Sequence, residues 1–275
     1  MNKVLLVIGP GFLGKQIIEQ SREAGLTVFS GSRTDGEYAD LGDLDSLRVL
    51  QEKLEPDYVI HCAASGRSAD RVASYRSVYL EGCQNIVEAF PTAKKLFTSS
   101  TSVYGQSDGS TVTEDSDTSP ASETAKILLE AEQALLDAGG TVARLSGIYG
   151  NGRSYMLKRL FSGEAAIEGD GARLLNHIHH ADAASACLFL LDQAAGIYNV
   201  SDSTCLSQKE TYQRLCGLFD LPLPAQIDAE DATPSKRGYS DKCVSNKKLT
   251  ELGWQPAYPC FVEAAEEIAV SLELI

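Results

Sequence analysis

The sequence lacks any long apolar run. No stretch approaches the ~20 residues that would cross a bilayer, so we expect no membrane-spanning segment. It also lacks an excess of positive charge: 24 Lys and Arg stand against 38 Asp and Glu, a formal net charge of −14. This balance argues against nucleic acid or an anionic membrane as a main partner. A phosphorylated ligand is not excluded, because it needs only a local positive pocket.

The cysteines are few and form no C-x-x-C pair. All seven are scattered along the chain, which favours reduced thiols in a cytoplasmic protein. The N-terminus carries one lysine followed at once by apolar residues, so we do not expect a signal peptide. Without repeats or low-complexity tracts, the 275 residues suffice for one large domain or two small ones.

The strongest positive feature is an apolar run that leads into a glycine motif. Val4 to Ile8 predicts a strand buried on both faces, and Phe12 to Ala24 predicts an amphipathic helix. Between them stands G-x-G-x-x-G, whose glycines permit a tight turn, close approach of a pyrophosphate and helix–strand packing. The phosphate would bind N–H groups at the helix N-terminus. The alternative is a glycine-rich turn without a ligand. The residues expected at the cofactor here are Gly9, Gly11, Phe12, Leu13 and Gly14.

The end of the second strand bears on which dinucleotide binds. Thr27 to Ser30 predicts this strand, and NAD-binding units usually place an acidic residue about 20 residues after the glycines. Ser32 and Arg33 stand there instead. A hydroxyl and a guanidinium suit a 2′-phosphate, which an Asp would repel. We therefore favour NADP, with NAD as the alternative if Arg33 is merely solvated. Asp40 and Leu41 follow and are included among the cofactor-binding candidates.

Strands continue to alternate with helices as far as Leu145. The later strands are predicted at Tyr58–Cys62, Lys95–Ser99 and Thr141–Leu145, and the helices at Asp43–Leu54, Asp70–Phe90 and Ala121–Asp137. This alternation predicts an α/β fold with a parallel, doubly wound Rossmann-type sheet. Open sheets of this kind bind ligands at the carboxyl ends of their strands. Small residues there would let a nucleotide lie close to the sheet, which adds Cys62, Ala63 and Ala64 to the cofactor-binding candidates.

After Gly150 the pattern changes to shorter elements and more turns. We predict a Rossmann domain over residues 1–165, to which 176–200 returns, and a smaller C-terminal α/β substrate domain over 166–275. Gly163–Leu174 is expected to be irregular and to reach over the substrate, and the turn-rich Pro222–Arg237 to form a lid. Further elements are predicted at Tyr155–Phe161, Asn176–His179, Asp182–Leu191, Gly196–Val200, Ser207–Phe219 and Phe261–Leu272.

Six motifs in order give the chain a family resemblance. They are Ile8–Gly14, His61–Ala64, Ser99–Gly105, Arg144–Arg153, Ile178–Asp182 and Tyr198–Asp202. Together they resemble the NAD-dependent epimerase/dehydratase group, the extended or atypical short-chain dehydrogenase/reductases. The resemblance implies a Rossmann domain, a smaller substrate domain and a cleft between them. It also implies hydride transfer to or from a nicotinamide, with a Tyr base, a Lys on the nicotinamide ribose and a Ser on the reacting oxygen.

Only some of the family's catalytic residues are found at the matching positions of this sequence. Its Ser falls on Ser100 and its Lys on Lys126, which would also bind the cofactor. A strand-end Ser and a solvated helix Lys are the plain alternatives. The family's Tyr falls on Ser122 and its Asn on Tyr79. A Ser hydroxyl is shorter in reach than a phenol and has a much higher pKa than the ~10 of Tyr. Lys126 therefore could not make Ser122 an equivalent base.

Another group would then have to move the proton. The substitutes considered are Tyr104, Tyr149, Tyr155, His177, His179 and His180, each with a structural alternative as packing or joint residues. We place Ser100, Lys126, Ser122 and Tyr104 in the catalytic set. His177, His179 and His180 with Asp182 also have the residue types of a metal site, but the family motif accounts for them, so we predict no metal.

Three functions remain open at this point. The first is an NADP-linked reductase, epimerase or dehydratase that acts on a small polar substrate, with a nucleotide sugar as one candidate. The second, which follows from Ser122, is a regulatory protein that senses NADP without turnover. The third is an inactive partner in a hetero-complex. The resemblance also raises a homodimer formed through Asp70–Phe90 and Ala121–Asp137.

Overall fold

The computed structural model describes residues 2–66, 68–228 and 240–275. Its strands are β1 Val4–Ile8, β2 Thr27–Ser32, β3 Glu37–Tyr38, β4 Tyr58–His61, β5 Lys94–Ser100, β6 Ser107–Val112, β7 Thr141–Leu145, β8 Gly147–Tyr149, β9 Ala166–Glu168, β10 Leu174–Leu175, β11 His177–His179, β12 Gly196–Val200, β13 Leu206–Ser207, β14 Ala225–Ile227 and β15 Asp241–Val244.

The helices lie between these strands. They are α1 Phe12–Glu23, α2 Leu44–Leu54, α3 Arg71–Tyr75, α4 Gly82–Ala89, α5 Glu123–Asp137, α6 Tyr155–Phe161, α7 His180–Leu190, α8 Gln208–Phe219, α9 Lys247–Glu251 and α10 Ala265–Ser271. A π-helical turn, Arg76–Glu81, joins α3 to α4, and 3-10 turns occur at Thr101–Val103 and Phe261–Ala264. None of the described helices is long and apolar enough to span a bilayer.

In the described part of the chain, seven strands form one sheet in the order β12-β7-β5-β4-β1-β2-β3. Every neighbouring pair is parallel. The chain starts in the middle at β1, winds to one edge at β3, then returns and continues from β4 to the other edge. The order reverses between β1 and β4, and a ligand crevice is expected at the carboxyl ends of strands at such a switch point.

Helices cover both faces of the sheet. Leu5 and Val7 point to one face and pack with α1 and α7, whereas Leu6 and Ile8 point to the other and pack with α2 and α4. This arrangement follows from the period of two along β1, where all five residues are apolar. The predicted α/β, doubly wound Rossmann-type fold is therefore confirmed.

A separate apolar cluster lies in the C-terminal part of the chain. It joins α6, α8 and α10 through Leu157, Leu215 and Ile268, all fully buried. Short strand pairs β9–β14 and β10–β13 flank it. A smaller C-terminal substrate domain over 166–275 stays a prediction, since this cluster also includes residues from before 166.

The differences from the expected elements are local. The helix predicted over Asp70–Phe90 is interrupted by the π-helical turn, which apolar periodicity does not reveal. The stretch expected to be irregular, Gly163–Leu174, contains β9 and the first residue of β10. Of the predicted lid, Ala225–Ile227 is a strand paired with β9, and residues 229–237 lie outside the described part of the chain.

Candidate functional site

The three glycines of the turn between β1 and α1 differ in what surrounds them. A Cβ on Gly9, whose φ is +99°, would lie 2.3 Å from the backbone of Ala63, and a Cβ on Gly14 would lie 2.2 Å from the carbonyl oxygen of Gly9. A Cβ on Gly11 would meet nothing within 4 Å. Two glycines are thus required by the protein's own packing, and the third faces open space.

The start of α1 is electrostatically suited to an anion. Gly11 is the N-cap, no side chain caps the helix, and no acidic residue stands in its first turn. N–H groups of Phe12, Leu13 and Gly14 therefore face outwards at the positive end of the helix dipole. This is the arrangement that binds the diphosphate of a dinucleotide. A cavity of about 400 Å³ opens beside the turn, lined by Pro10, Gly11, Phe12, Lys15, Gln16, Glu19, Asn151 and His180.

At the end of β2, Ser32 and Arg33 differ in their contacts. The Ser32 hydroxyl accepts hydrogen bonds from Thr34 N at 3.2 Å and Asp35 N at 2.7 Å, so it organises the turn. Arg33 is exposed and makes no hydrogen bond or ion pair with any residue that the structure describes. Its guanidinium is the available cation next to this strand end.

Asp40 and Leu41 have structural contacts. Asp40 Oδ1 accepts from Gly42 N at 3.0 Å, and Leu41, which is buried, accepts from Asn85 Nδ2 at 2.7 Å through its carbonyl oxygen. Neither contact shows whether the pair also touches a nucleotide, so that role stays a prediction.

The end of β4 packs directly against the glycine turn. The Cys62 thiol donates to the carbonyl oxygen of Gly9 at 3.2 Å, and burial raises the pKa of Cys62 to about 12, which keeps it protonated. Ala63 fills the space beside Gly9, and Ala64 adds no bulk. The amide of Ser65 donates to the Tyr79 hydroxyl at 3.1 Å. Tyr79 therefore reaches this edge of the sheet. The sequence did not predict this contact; it showed only that Tyr79 stands where the family has an Asn.

Ser100 ends β5, and Ser122 and Lys126 lie at the start of α5, a helix that packs against β5 and the turn that follows it. Gly105 packs against the Ser119 backbone, where a Cβ would lie 2.5 Å from the carbonyl oxygen. This contact holds the approach to α5 against the turn after β5. Ser100 Oγ accepts from Ser102 N at 3.2 Å, and Ser122 caps α5 by accepting from Ala125 N at 3.3 Å.

Lys126 lies one turn into α5 and is half-exposed. Its Nζ lies 3.5 Å from Glu123 Oε2. An exposed pair of this kind is weak, so the amine can exchange Glu123 for another partner at small cost.

Tyr104 is buried, and its hydroxyl is hydrogen-bonded to two other side chains. It is 2 % exposed; its hydroxyl donates to Asn199 Oδ1 at 2.8 Å and accepts from Arg144 Nη1 at 3.0 Å. Burial raises the pKa of Tyr104. Glu132 holds Arg144 in turn, at 2.7 Å. Tyr104 thus links the segment after β5 to β7 and β12, and its catalytic role stays a prediction.

The other substitute bases are mostly occupied by packing. Burial lowers the pKa of His177 and His179 to about 4, so both rings are neutral. His179 Nδ1 accepts from Ala181 N at 3.3 Å as the N-cap of α7, and His177 stacks on Phe261 at 4.5 Å. Tyr149 is buried, with its pKa raised by burial.

Two of the substitute bases, Tyr155 and His180, lie at the surface or beside the cavity. Tyr155 is 76 % exposed at the start of α6. His180 stacks on Phe12 at 4.8 Å beside the cavity, and Gly150 accommodates its ring, since a Cβ there would lie 2.1 Å from His180 Cδ2. Within the described ranges, no group of three His, Cys, Asp or Glu residues is arranged to hold a metal ion.

Lys242 was not singled out by the sequence. It is buried, and its Nζ donates to the Tyr104 carbonyl oxygen at 3.1 Å, just beyond the turn that follows Ser100. Burial lowers the pKa of Lys242 to about 8. No sequence signal marks it, because its contact joins segments far apart in the chain.

Comparison with known proteins adds a family and several relatives. The model of the NAD dependent epimerase/dehydratase family matches residues 5–201. Protein YeeZ of Escherichia coli K12 is 29% identical over 94% of this chain and 97% of its own. Methionine adenosyltransferase 2 subunit beta of Xenopus tropicalis is 26% identical over 90% of this chain and 82% of its own.

Solved structures share the fold along almost the whole chain. UDP-glucose 4-epimerase of Thermus thermophilus, in complex with NAD, superposes with a TM-score of 0.80 at 21% identity and covers 98% of this chain and 99% of that one. The dTDP-4-dehydrorhamnose reductase of Bacillus anthracis, in complex with NADP, has a TM-score of 0.80 at 18% identity, with 98% of each chain covered.

Proposed function

Since the chain belongs to the NAD dependent epimerase/dehydratase family, we propose that it is an NAD(P)-dependent oxidoreductase acting on a small polar or sugar substrate. A nucleotide sugar is the leading candidate, because structural neighbours act on UDP-glucose and on a dTDP-sugar. The reaction would move a hydride between a substrate carbon and the nicotinamide.

One observation carries the dinucleotide part of this proposal. Gly11 faces open space at an uncapped helix start, whereas Gly9 and Gly14 are closed in by backbone. A turn built only for packing would need the two enclosed glycines but not the open one. A diphosphate over Gly11 would accept from the free N–H groups and lie against the helix dipole.

Arg33 favours NADP over NAD. Its guanidinium is unpaired among the described residues at the end of β2, and Gly31 and Ser32 supply no carboxylate there. A 2′-phosphate would form charge-assisted hydrogen bonds with Arg33, whereas a 2′-hydroxyl would gain little from it.

For the chemical step, we assign Ser100 to the reacting oxygen and Lys126 to the nicotinamide ribose. Ser100 is the last residue of β5 and Lys126 lies one turn into α5, and their present contacts are weak or local. The proton then needs a donor other than Ser122, whose hydroxyl caps α5. Tyr79, whose hydroxyl is bonded to the amide of Ser65 after β4, is the phenol that the structure adds to the candidates from the sequence.

A second function is favoured by Ser122 and by one relative. A chain that keeps the nucleotide turn but lacks the usual phenol could bind NADP without turning over. The methionine adenosyltransferase relative carries the name of a subunit, which fits a nucleotide-binding member of an assembly.

With either function, we propose that the protein is cytoplasmic, where its free cysteines would stay reduced. We also propose that it forms a homodimer through the α3–α4 and α5 helices.

Two measurements test these functions. Fluorescence titration with NADPH and NADH, and competition by NADP and NAD, should show binding with NADPH the tighter ligand. Absence of binding by all four would overturn both functions. Nicotinamide absorbance, followed against nucleotide sugars, sugars and aldehydes, then tests turnover, which Ser100→Ala and Lys126→Ala should reduce.

A variant of Ser122 separates the two functions. If wild type turns over and Ser122→Tyr changes the rate only modestly, another residue already supplies the proton. If turnover appears only in Ser122→Tyr, the wild-type chain is a nucleotide binder whose site lacks its acid. Ser122→Ala is the matched control, because it removes the same helix cap without adding a phenol.

A further inference from the structure

Arg153 reaches the glycine turn from a distant part of the chain. It follows β8, and its guanidinium carbon lies over the ring of Phe12, 5.0 Å from the ring centre. Phe12 is the first residue of α1, so its N–H group is one of those at the positive end of that helix. The fold thus places a cation beside the turn that we assign to the cofactor.

The turn that carries Arg153 is anchored to its neighbours. Gly150 N donates to the Arg153 carbonyl oxygen at 2.9 Å, and Arg153 N donates to the Gly150 carbonyl oxygen at 2.8 Å. Within the turn, Gly152 N donates to Ser271 Oγ at 3.0 Å, at the end of α10. The ring of His180 lies so close to Gly150 that a Cβ would not fit there. The backbone of Arg153 is therefore fixed before a ligand arrives, which reduces the entropy lost on binding.

The contact with Phe12 leaves the Arg153 guanidinium available to a ligand. The side chain is exposed, and it makes no hydrogen bond or ion pair with any residue in the described ranges. A cation–π contact is electrostatic, so most of the N–H groups of the guanidinium stay free to donate. Two parallel N–H groups of an arginine match two oxygens of a phosphate. Arg153 is thus held in place by an aromatic ring and keeps its donors for an anion.

The cavity beside the glycine turn needs such a cation if it is to hold an anion. Asn151, on the same turn as Arg153, lines this cavity. Among its described lining residues, Lys15 and Glu19 carry opposite charges one turn apart on α1, so their charges largely offset each other. Burial lowers the pKa of His180, so its ring adds no charge at pH 7. In a chain with a formal net charge of −14, the helix dipole and Arg153 supply the positive potential here.

We propose that Arg153 binds the diphosphate of the dinucleotide together with the N–H groups at the start of α1. The diphosphate is doubly charged, whereas a helix start offers only about half an elementary charge. Arg153 adds a full charge and paired donors. The turn over residues 150–153 and the glycine turn then hold one ligand between them. This inference rests on the proposed binding of a dinucleotide, but not on which dinucleotide binds or on turnover.

The test compares NADPH with NADH, because both contain the diphosphate and only NADPH has the 2′-phosphate. Arg153→Ala should weaken the binding of both by about tenfold or more and leave the ratio of the two affinities unchanged. Lys158→Ala, which removes an exposed positive charge from α6, is the control and should leave both affinities unchanged. Unchanged affinities in Arg153→Ala, or a loss confined to NADPH, would overturn the inference. No binding of either nucleotide by wild type would instead overturn the proposed function, on which the inference rests.

A second measurement needs no variant and so decides even if Arg153→Ala unfolds. The wild-type chain is treated with phenylglyoxal, which modifies accessible arginines, and the modified peptides are followed by mass spectrometry. Saturating NADH should slow the modification of Arg153, whereas Arg22, exposed at the far end of α1, should react at the same rate with and without NADH. Equal rates at Arg153 in the two conditions would contradict the inference. Arg153→Lys keeps the charge but not the paired donors, so it should recover only part of the lost affinity.

Discussion

Gly9 lies against Ala63 so closely that a Cβ on the glycine would fall 2.3 Å from the alanine's backbone nitrogen. The contact joins the first strand–helix turn to the end of β4, the two sides of the switch point. It holds the turn in one shape whether or not a ligand is bound. Gly11, two residues on, has no such neighbour. Substitutions at Gly11 can therefore report on a ligand without disturbing the fold.

Gly11→Ala should weaken NADPH binding by at least about tenfold, or ~1.4 kcal/mol. The φ of Gly11 is −79°, which alanine adopts freely, so the new methyl group would meet only the incoming diphosphate. Fluorescence titration measures the effect. Gly217→Ala, in α8 and equally without neighbours, is the matched control and should leave affinity unchanged. Equal affinity in both variants would mean that no diphosphate lies over Gly11.

Arg33→Ala should weaken NADPH binding by about tenfold or more, since a hydrogen bond to a charged group contributes about 1.5–3 kcal/mol. Binding of NADH should hardly change, because NADH has no 2′-phosphate. Competitive titration of both nucleotides gives the ratio of the NADPH affinity to the NADH affinity. Arg22→Ala, an exposed arginine at the far end of α1, controls for the loss of one positive charge. If the ratio of the two affinities is the same in wild type and in Arg33→Ala, the preference for NADP is wrong.

The glycine turn was predictable because each part of its signal is local. An apolar run, three glycines and a helical period stand within the first 24 residues, and the folded chain needs nothing distant to give them their positions. Ser100 at a strand end was predictable for the same reason. The role of Tyr104 was not. Its hydroxyl bonds Arg144 and Asn199, which no spacing along the sequence brings together.

Glu132→Gln should lower the free energy of unfolding by about 3–5 kcal/mol, because it leaves the charged Arg144 in the core without its carboxylate partner. The two side chains are 2% and 4% exposed and meet at 2.7 Å. Urea unfolding followed by circular dichroism measures the change. Glu130→Gln is the matched control on the same helix. It breaks an exposed pair with Arg76 and should cost about 0–1 kcal/mol. Similar losses in the two variants would show that the buried pair does not hold β7 to α5.

Asp202 should make stability fall as the pH rises between about 4 and 8. It is buried, and burial raises the pKa of its carboxyl to about 8. In the unfolded chain the pKa is about 3.9. The contribution of this group is fully present below the unfolded pKa and is lost as the pH rises through the folded one, because the unfolded state ionises first. Between about pH 6.5 and 8 the loss amounts to about 1.5 kcal/mol in total.

Asp202→Asn isolates this contribution. Unfolding free energies of wild type and variant should be measured by urea titration at about pH 6.5 and 8, and the value for wild type should fall by about 1.5 kcal/mol relative to the variant. The histidines also titrate near this window in the unfolded chain, but they are present in both proteins and largely cancel in the difference. A constant difference across the window would mean that Asp202 is already ionised in the fold.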